Sequence, residues 1–232
     1  MPIIQPNDPS PQATRPMPNP LIGIVLTGGR SSRMGQDKAL LTFRGKTLLS
    51  IAEQTLMQAG CGRVIMSGAP RPGWHGQHIP DLFAHLGPVG GMVSCIEALA
   101  QEQSTEQAAE QSPLLVFVAV DTPLLLAQTL RPLLRPLLRP LLTPLLTHLL
   151  APHLGARYAH HPIPLVLRLS PSVCTHAQMV KQQLLAGQSC SINAFTEPFA
   201  LAQWLPDHAQ AAQLRNINTP DDWSQLNHEF AD

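Results

Sequence analysis

The sequence predicts an α/β domain with a mostly parallel sheet, and three observations carry that prediction. Apolar runs of strand length alternate with segments of helical periodicity. The runs at 21–26 and 114–120 are continuously apolar, as in strands covered on both faces. Each ends in turn chemistry, Thr27-Gly28-Gly29 after the first and Asp121-Thr122-Pro123 after the second.

The elements follow in order. Residues 1–20 hold seven prolines and little apolar periodicity, so a disordered Pro-rich tail is expected there, with the domain spanning 21–227 and a short tail at 228–232. Leu21–Leu26 reads as a buried strand running into a glycine loop. From Thr47 to Ala59 the apolar positions Leu48, Ile51, Ala52, Leu56 and Ala59 have helical spacing, and Gly60 ends it. Arg63–Ser67 predicts a second buried strand. GPVGG at 87–91 suggests a flexible turn ahead of a helix over 92–100, with 101–112 as helix end and surface loop. Leu114–Val120 is the clearest parallel-type strand. Between 130 and 154 the chain repeats Pro-Leu-Leu every four residues. A proline inside a helix removes a donor and costs about 3 kcal/mol, so a regular helix is not expected and the segment reads as a low-complexity insertion. Its leucines could instead pack on the domain or on a second subunit. The apolar run 163–169 follows His160, His161 and Pro162.

Composition narrows the function. Fifteen Lys and Arg balance fifteen Asp and Glu, which argues against nucleic acid or an anionic membrane as partner, since both demand a dense cationic face. No apolar stretch approaches ~20 residues and no leader-like start is present, so a cytoplasmic protein is expected. The cysteines, Cys61, Cys95, Cys174 and Cys190, form no CxxC pair and read as reduced thiols. A monomer is expected.

The chemistry concentrates in LTGGRSSRMGQDK, residues 26–38. Small residues admit a polyphosphate, exposed amides can cradle it, and Arg30, Arg33 and Lys38 add positive charge. It is neither a P-loop, which needs glycine five positions before Gly45 where Leu40 stands, nor a dinucleotide fingerprint, which needs glycine where Arg30 stands. The bland alternative is a tight turn with solvated bases. Asp121, ending a buried strand, suits Mg²⁺, a hard ion that takes oxygen ligands; alone it could equally cap a helix ahead of Pro123. Together at one carboxyl sheet edge, loop and carboxylate favour the metal reading.

The segments LTGGRSSRMGQDKALL, GPVGG, VAVDTPLL and NINTPDDW, in this order, resemble the molybdenum cofactor guanylyltransferases, a branch of the glycosyltransferase-A-like nucleotidyltransferases. The resemblance implies a Rossmann-like three-layer α/β/α sandwich and transfer of GMP from MgGTP to the terminal phosphate of molybdopterin carrying molybdenum. It implies GTP and molybdopterin as partners, possible handover to molybdoenzymes or other cofactor-biosynthesis proteins, and Mg²⁺ as cofactor. By matching positions, Leu26, Thr27, Gly28, Gly29, Lys38, Ser67, Asp81 and Asp121 would bind the nucleotide, with Arg33, Lys38 and Asp121 catalytic. Asp121 and Asn218 would hold the metal, and His161 and Asn216 would face the acceptor. One departure concerns the acceptor: where the family commonly has a Gly-Glu-Arg-Arg-like segment, this chain has Gly187, Gln188, Ser189 and Cys190. Competing readings are a related transferase using CTP or a sugar-phosphate acceptor, and a nucleotide-binding adaptor without catalysis.

Overall fold

A computed structural model describes residues 21–28, 37–83, 87–105, 112–138 and 153–230. The chain runs β1 (Leu21–Leu26), a 3-10 turn (Lys38–Leu40), β2 (Thr42–Phe43), β3 (Lys46–Thr47), α1 (Leu48–Gln58), β4 (Arg63–Ser67), β5 (Gln77–Ile79) and α2 (Pro88–Thr105). It continues with β6 (Leu114–Ala119), α3 (Ala127–Leu138), β7 (Gly155–Tyr158), β8 (Leu165–Arg168) and α4 (Pro171–Leu185). The last elements are α5 (Ile192–Thr196), β9 (Leu201–Trp204), α6 (His208–Gln213) and α7 (Pro220–Glu229).

Among the described residues the main sheet has seven strands in the order β5-β4-β1-β6-β8-β7-β9. β1 pairs in parallel with both β4 and β6, β4 with β5, and β7 with β9. β8 is antiparallel to both of its neighbours, so it alone opposes the other strands of this sheet. The mostly parallel sheet expected from sequence is therefore present, with one reversed strand. It lies between β6 and β7, which run parallel to each other and are linked in sequence through α3.

Two cores flank the sheet and make three layers. One gathers Val25, Met66, Val116 and Val118 under α1, α3 and α7, through Leu48, Leu56, Leu130, Leu133 and Leu226. The other gathers Ile24, Ile65, Leu115 and Phe117 under α2, α4 and α5, through Met92, Ile96, Val173, Val180 and Phe195. Alternate residues of one strand thus feed opposite cores, which is why these strands read as continuously apolar. Gly23 permits the close seat of α1: a Cβ there would lie 2.9 Å from Leu56 Cδ1.

Three expectations are corrected. The repeat is helical as far as Leu138, with Pro132 and Pro136 inside α3. Leu130, Leu133, Leu134 and Leu137 recur at helical spacing and are at most 4% exposed, whereas Arg131 and Arg135 face solvent. Burying four leucines at about 1.5–3 kcal/mol each outweighs two interior prolines at about 3 kcal/mol each. The rest of the repeat, 139–152, lies outside the described residues, as does the 1–20 segment. The GPVGG segment is not a turn ahead of a helix, because α2 begins at Pro88. Its glycines serve close approach: a Cβ on Gly91 would overlap Ser67 Oγ, and one on Gly90 would lie 3.0 Å from Asp81 Oδ1. The C-terminal boundary at 227 also moves. α7 runs to Glu229, and Phe230 meets Phe43 edge-on at 5.9 Å with the Arg44 guanidinium 4.7 Å from its ring centre.

Candidate active site

The site forms at the carboxyl edge of the sheet. β1 ends at Leu26 and β6 at Ala119, and a bond from Val120 N to Leu26 O (3.2 Å) carries the ladder one step beyond them. That contact sets Thr27 and Gly28 beside Asp121, although 94 positions separate Thr27 from Asp121 in the sequence. A cleft of about 350 Å³ opens there, with Leu26, Thr27, Gly28, Pro88, Ala119, Val120 and Asp121 on one side. Lys38, Asn216, Asn218, His161, Pro162, Ile163 and Ile192 complete its lining.

Lys38 is held by partners remote in sequence. Its ammonium donates to Ile217 O at 2.8 Å and to Asn218 Oδ1 at 3.1 Å, and lies 3.6 Å from Asp121 Oδ2. The lysine and aspartate side chains are 16% and 19% exposed, so the pair sits largely out of bulk water. Burial pushes the Asp121 carboxyl above the ordinary carboxylate range, and Lys38 pulls it part of the way back. Asp121 Oδ1 is buried and has no hydrogen-bond partner among the described residues. The Ile217 peptide joins the two groups, since its N–H donates to Asp121 O at 2.8 Å while its carbonyl accepts from Lys38.

The segment carrying Asn216 and Asn218 is anchored by the start of α7. Asp222 Oδ2 accepts from Asn218 N and Thr219 N, each at 2.8 Å, and Thr219 Oγ1 accepts from Asp222 N at 3.1 Å. This reciprocal capping box is what the spacing of Thr219 and Asp222 encodes. Those bonds hold the Asp222 carboxyl below its ordinary range. On the opposite wall, burial and then His160 push the His161 imidazole below its ordinary range, which favours the neutral ring.

Several residues singled out from the sequence line this one cleft: Leu26, Thr27, Gly28, Lys38, Asp121, His161, Asn216 and Asn218. Asp81 stands beside it. Its Oδ2 would be 3.6 Å from a Cβ on Gly28, and its Oδ1 accepts from Phe83 N at 2.9 Å. Ser67 sits behind the cleft at 1% exposure, its carbonyl accepting from Thr27 Oγ1, so its side chain does not face the space. Gly29 and Arg33 lie outside the described residues. Gly187, Gln188 and Ser189 are exposed in the connection from α4 to α5 and do not line the cleft.

Sequence reasoning passed over Arg71, which bonds to Thr27 and Asp37. The available signal was a lone arginine four residues beyond a strand that ends at this same sheet edge. It also passed over the apolar wall of Ile163 and Ile192.

Residues 23–168 match the MobA-like NTP transferase domain family. A molybdenum cofactor guanylyltransferase of Xanthomonas euvesicatoria is 37% identical over 215 residues, covering 92% of this chain and 97% of that protein. This chain belongs to the MobA-like NTP transferase family. The fold agrees with that membership. The crystal structure of molybdopterin-guanine dinucleotide biosynthesis protein A from Archaeoglobus fulgidus superposes with a TM-score of 0.64 at 15% identity, covering 91% of this chain and 98% of that one. The 2-C-methyl-D-erythritol 4-phosphate cytidylyltransferase of Thermus thermophilus gives a TM-score of 0.58 at 12% identity over 90% and 98%. Family membership makes this chain a nucleotidyltransferase, as the glycine loop and Asp121 suggested. Among the described residues, no helix is long and apolar enough to cross a membrane.

Proposed function

We propose that this chain transfers GMP from GTP to the terminal phosphate of molybdopterin carrying molybdenum, releasing pyrophosphate. The observation that carries the reading is the Lys38–Asp121 pair, set in a cleft at the carboxyl sheet edge and closed by Asn216 and Asn218. The guanylyltransferase relative, aligned over nearly its whole length, supports the choice of donor and acceptor. The reading takes the protein to act as a cytoplasmic monomer, with molybdoenzymes or other cofactor-biosynthesis proteins receiving the product.

In the reaction an acceptor phosphate oxygen attacks the α-phosphorus of GTP. A new P–O bond forms as the bond to the β-phosphate oxygen breaks, and the electron pair leaves with pyrophosphate. A phosphate oxygen is already nucleophilic at neutral pH, so positioning and charge neutralisation carry the catalysis. Lys38 reaches into the cleft from the end of the glycine segment, where its ammonium stabilises charge growing on the leaving pyrophosphate. Arg33, in the same segment, is assigned the same task. The Thr27 and Gly28 backbone offers the polyphosphate a close approach, and Asp81, beside Gly28, is assigned to the nucleoside. Ser67 supports the base side from behind. Neutral His161, with Asn216, is assigned to the acceptor.

Mg²⁺ fits the donor set: Asp121 offers a buried carboxylate oxygen without a partner among the described residues, and Asn218 an amide oxygen nearby. Among the described residues no group of three His, Cys, Asp or Glu could hold an ion alone. This suits a metal completed by substrate phosphates and water. Bound there, the ion would supply charge neutralisation on phosphate oxygens. Asp121 and Asn218 would hold it.

The test is incubation of the purified chain with labelled GTP, MgCl₂ and molybdopterin carrying molybdenum. Guanine dinucleotide and pyrophosphate are expected in equal amounts. A preference for CTP overturns the guanylyl assignment, and GTP binding without pyrophosphate release overturns the catalytic one.

A further inference from the structure

Among the described residues, Arg71 makes four polar contacts to oxygen atoms next to the cleft, two of them to Thr27, which lines it, and the transfer reaction leaves it without a role. Its Nε donates to Asp37 Oδ2 at 2.7 Å, and one terminal nitrogen donates to Thr27 Oγ1 at 2.7 Å and to Ala69 O at 3.0 Å. The other terminal nitrogen lies 3.4 Å from Thr27 O. The side chain is 15% exposed. One guanidinium therefore joins two points ten positions apart, Thr27 at the end of β1 and Asp37 at the start of the 3-10 turn.

The chain of bonds continues to the reacting groups. The second oxygen of Asp37 accepts from Ala39 N at 3.0 Å and caps the turn that begins with Lys38. On the other side, Thr27 Oγ1 also donates to Ser67 O. Gly68 leaves room for this junction. It sits at φ 118, and a Cβ there would stand 2.9 Å from Thr27 Oγ1 and 3.4 Å from the Arg71 nitrogen. A planar fork of five donors can serve carboxylate, hydroxyl and carbonyl at once. An ammonium, with three donors on one atom, cannot reach all of them.

We propose that Arg71 is a positioning residue for nucleotidyl transfer, fixing the distance between the Thr27–Gly28 backbone and Lys38 so that both meet one triphosphate. The proposal rests on the transferase reading and concerns the phosphate half of the site alone. Arg71 itself touches no reacting atom. It acts through Asp37 on Lys38 and through Thr27 on the backbone beside the cleft.

The experiment compares wild type with Arg71→Lys, Asp37→Asn, Lys38→Ala and the Arg71→Lys/Lys38→Ala double variant. Melting temperature, kcat, KM and calorimetric affinity are measured for the magnesium nucleoside triphosphate that the wild type prefers. Misplacing a group by about 1 Å costs on the order of 100-fold, so Arg71→Lys and Asp37→Asn should each lower kcat/KM by about 10- to 100-fold. Their melting temperatures should fall by no more than about 4 °C. In the affinity cycle the double variant should lose less than the sum of the two single losses, because part of the arginine's effect passes through the lysine.

Wild-type kinetics in Arg71→Lys, or losses that add fully in the double variant, overturn the proposal. So does a loss of turnover that follows only the unfolded fraction. A wild type preferring a nucleotide other than GTP overturns the donor assignment and leaves the cycle to be read on that nucleotide. A wild type that binds none of ATP, GTP, CTP and UTP overturns both.

Discussion

Lys38 Nζ stands 3.6 Å from Asp121 Oδ2, yet its shorter bonds go to Ile217 O and Asn218 Oδ1. The ammonium is therefore held mainly by neutral oxygens, and the carboxylate keeps a buried oxygen without a partner among the described residues. A site in this state stores electrostatic cost at the position where the metal and triphosphate are proposed to bind.

Replacing Asp121 with Asn should abolish transfer and make the fold more stable at pH 8. Burial raises this carboxyl above its ordinary value of 3.8 despite Lys38. A raised pKa means that the native state binds the proton more tightly than the unfolded chain, so stability falls as pH climbs from 3.8 through the folded value. The neutral amide escapes that penalty. Thermal melts should show the variant ahead at pH 8 and level with wild type below pH about 3.8; a variant less stable at pH 8 sinks the prediction.

Lys38→Ala should lower kcat by on the order of 100- to 1000-fold, the usual effect of removing one preorganised donor from developing charge. Its circular dichroism should match wild type, since the lysine covers no core. Near-wild-type turnover would show that the leaving pyrophosphate is neutralised elsewhere.

Gly91→Ala should destabilise the protein by about 1–3 kcal/mol, the cost of overpacking a filled core. A Cβ there overlaps Ser67 Oγ and also lies 3.7 Å from Leu26 Cδ2. Adding Ser67→Ala should recover most of the loss, because it removes the clashing oxygen. Denaturant melts of the three variants decide the matter, and additive losses would contradict the contact.

In α3, Leu133→Ala should cost about 2–5 kcal/mol, as for other fully buried leucines. Pro136→Ala should instead stabilise the fold, by about 2–3 kcal/mol. It restores an interior helical donor worth about 3 kcal/mol relative to proline but frees the unfolded chain by up to about 1 kcal/mol. If both substitutions prove neutral in chemical denaturation, α3 is not seated as described.

His161 is pushed below its ordinary 6.5 by burial and by His160. Its contribution to stability is thus complete above pH 6.5 and lost as pH falls through the lower folded value. His161→Gln should flatten that acid loss. Acceptor KM in wild type should be constant from pH 7 to pH about 8.5, since the ring is already neutral there; a KM that titrates near pH 7 would assign the ring a charged role.

Local elements were legible because their causes are local. Leu21–Leu26 and Arg63–Ser67 are bounded as the apolar runs predict, and α1 fills Leu48–Gln58 within the predicted 47–59, with Thr47 as its N-cap. Errors arose where a local rule met a tertiary demand. Proline and glycine were read by their backbone habits, while α3 is held by buried leucines and Gly91 by the closeness of Ser67. The reversed β8 and the helix over 171–185 left no signal strong enough to assign.

The sequence by itself determined the strands β1, β4 and β6, the glycines that follow β1 and the carboxylate that follows β6, because each depends on residues adjacent in the chain. It also carried the family motifs, and so the expectation of nucleotidyl transfer. The tertiary structure alone decided that Lys38 is held by residues 179 and 180 positions away, and that Arg71 ties Thr27 to Asp37. Such contacts depend on strand order and on which side chain can reach across a sheet edge, and neither is encoded in the spacing of neighbouring residues.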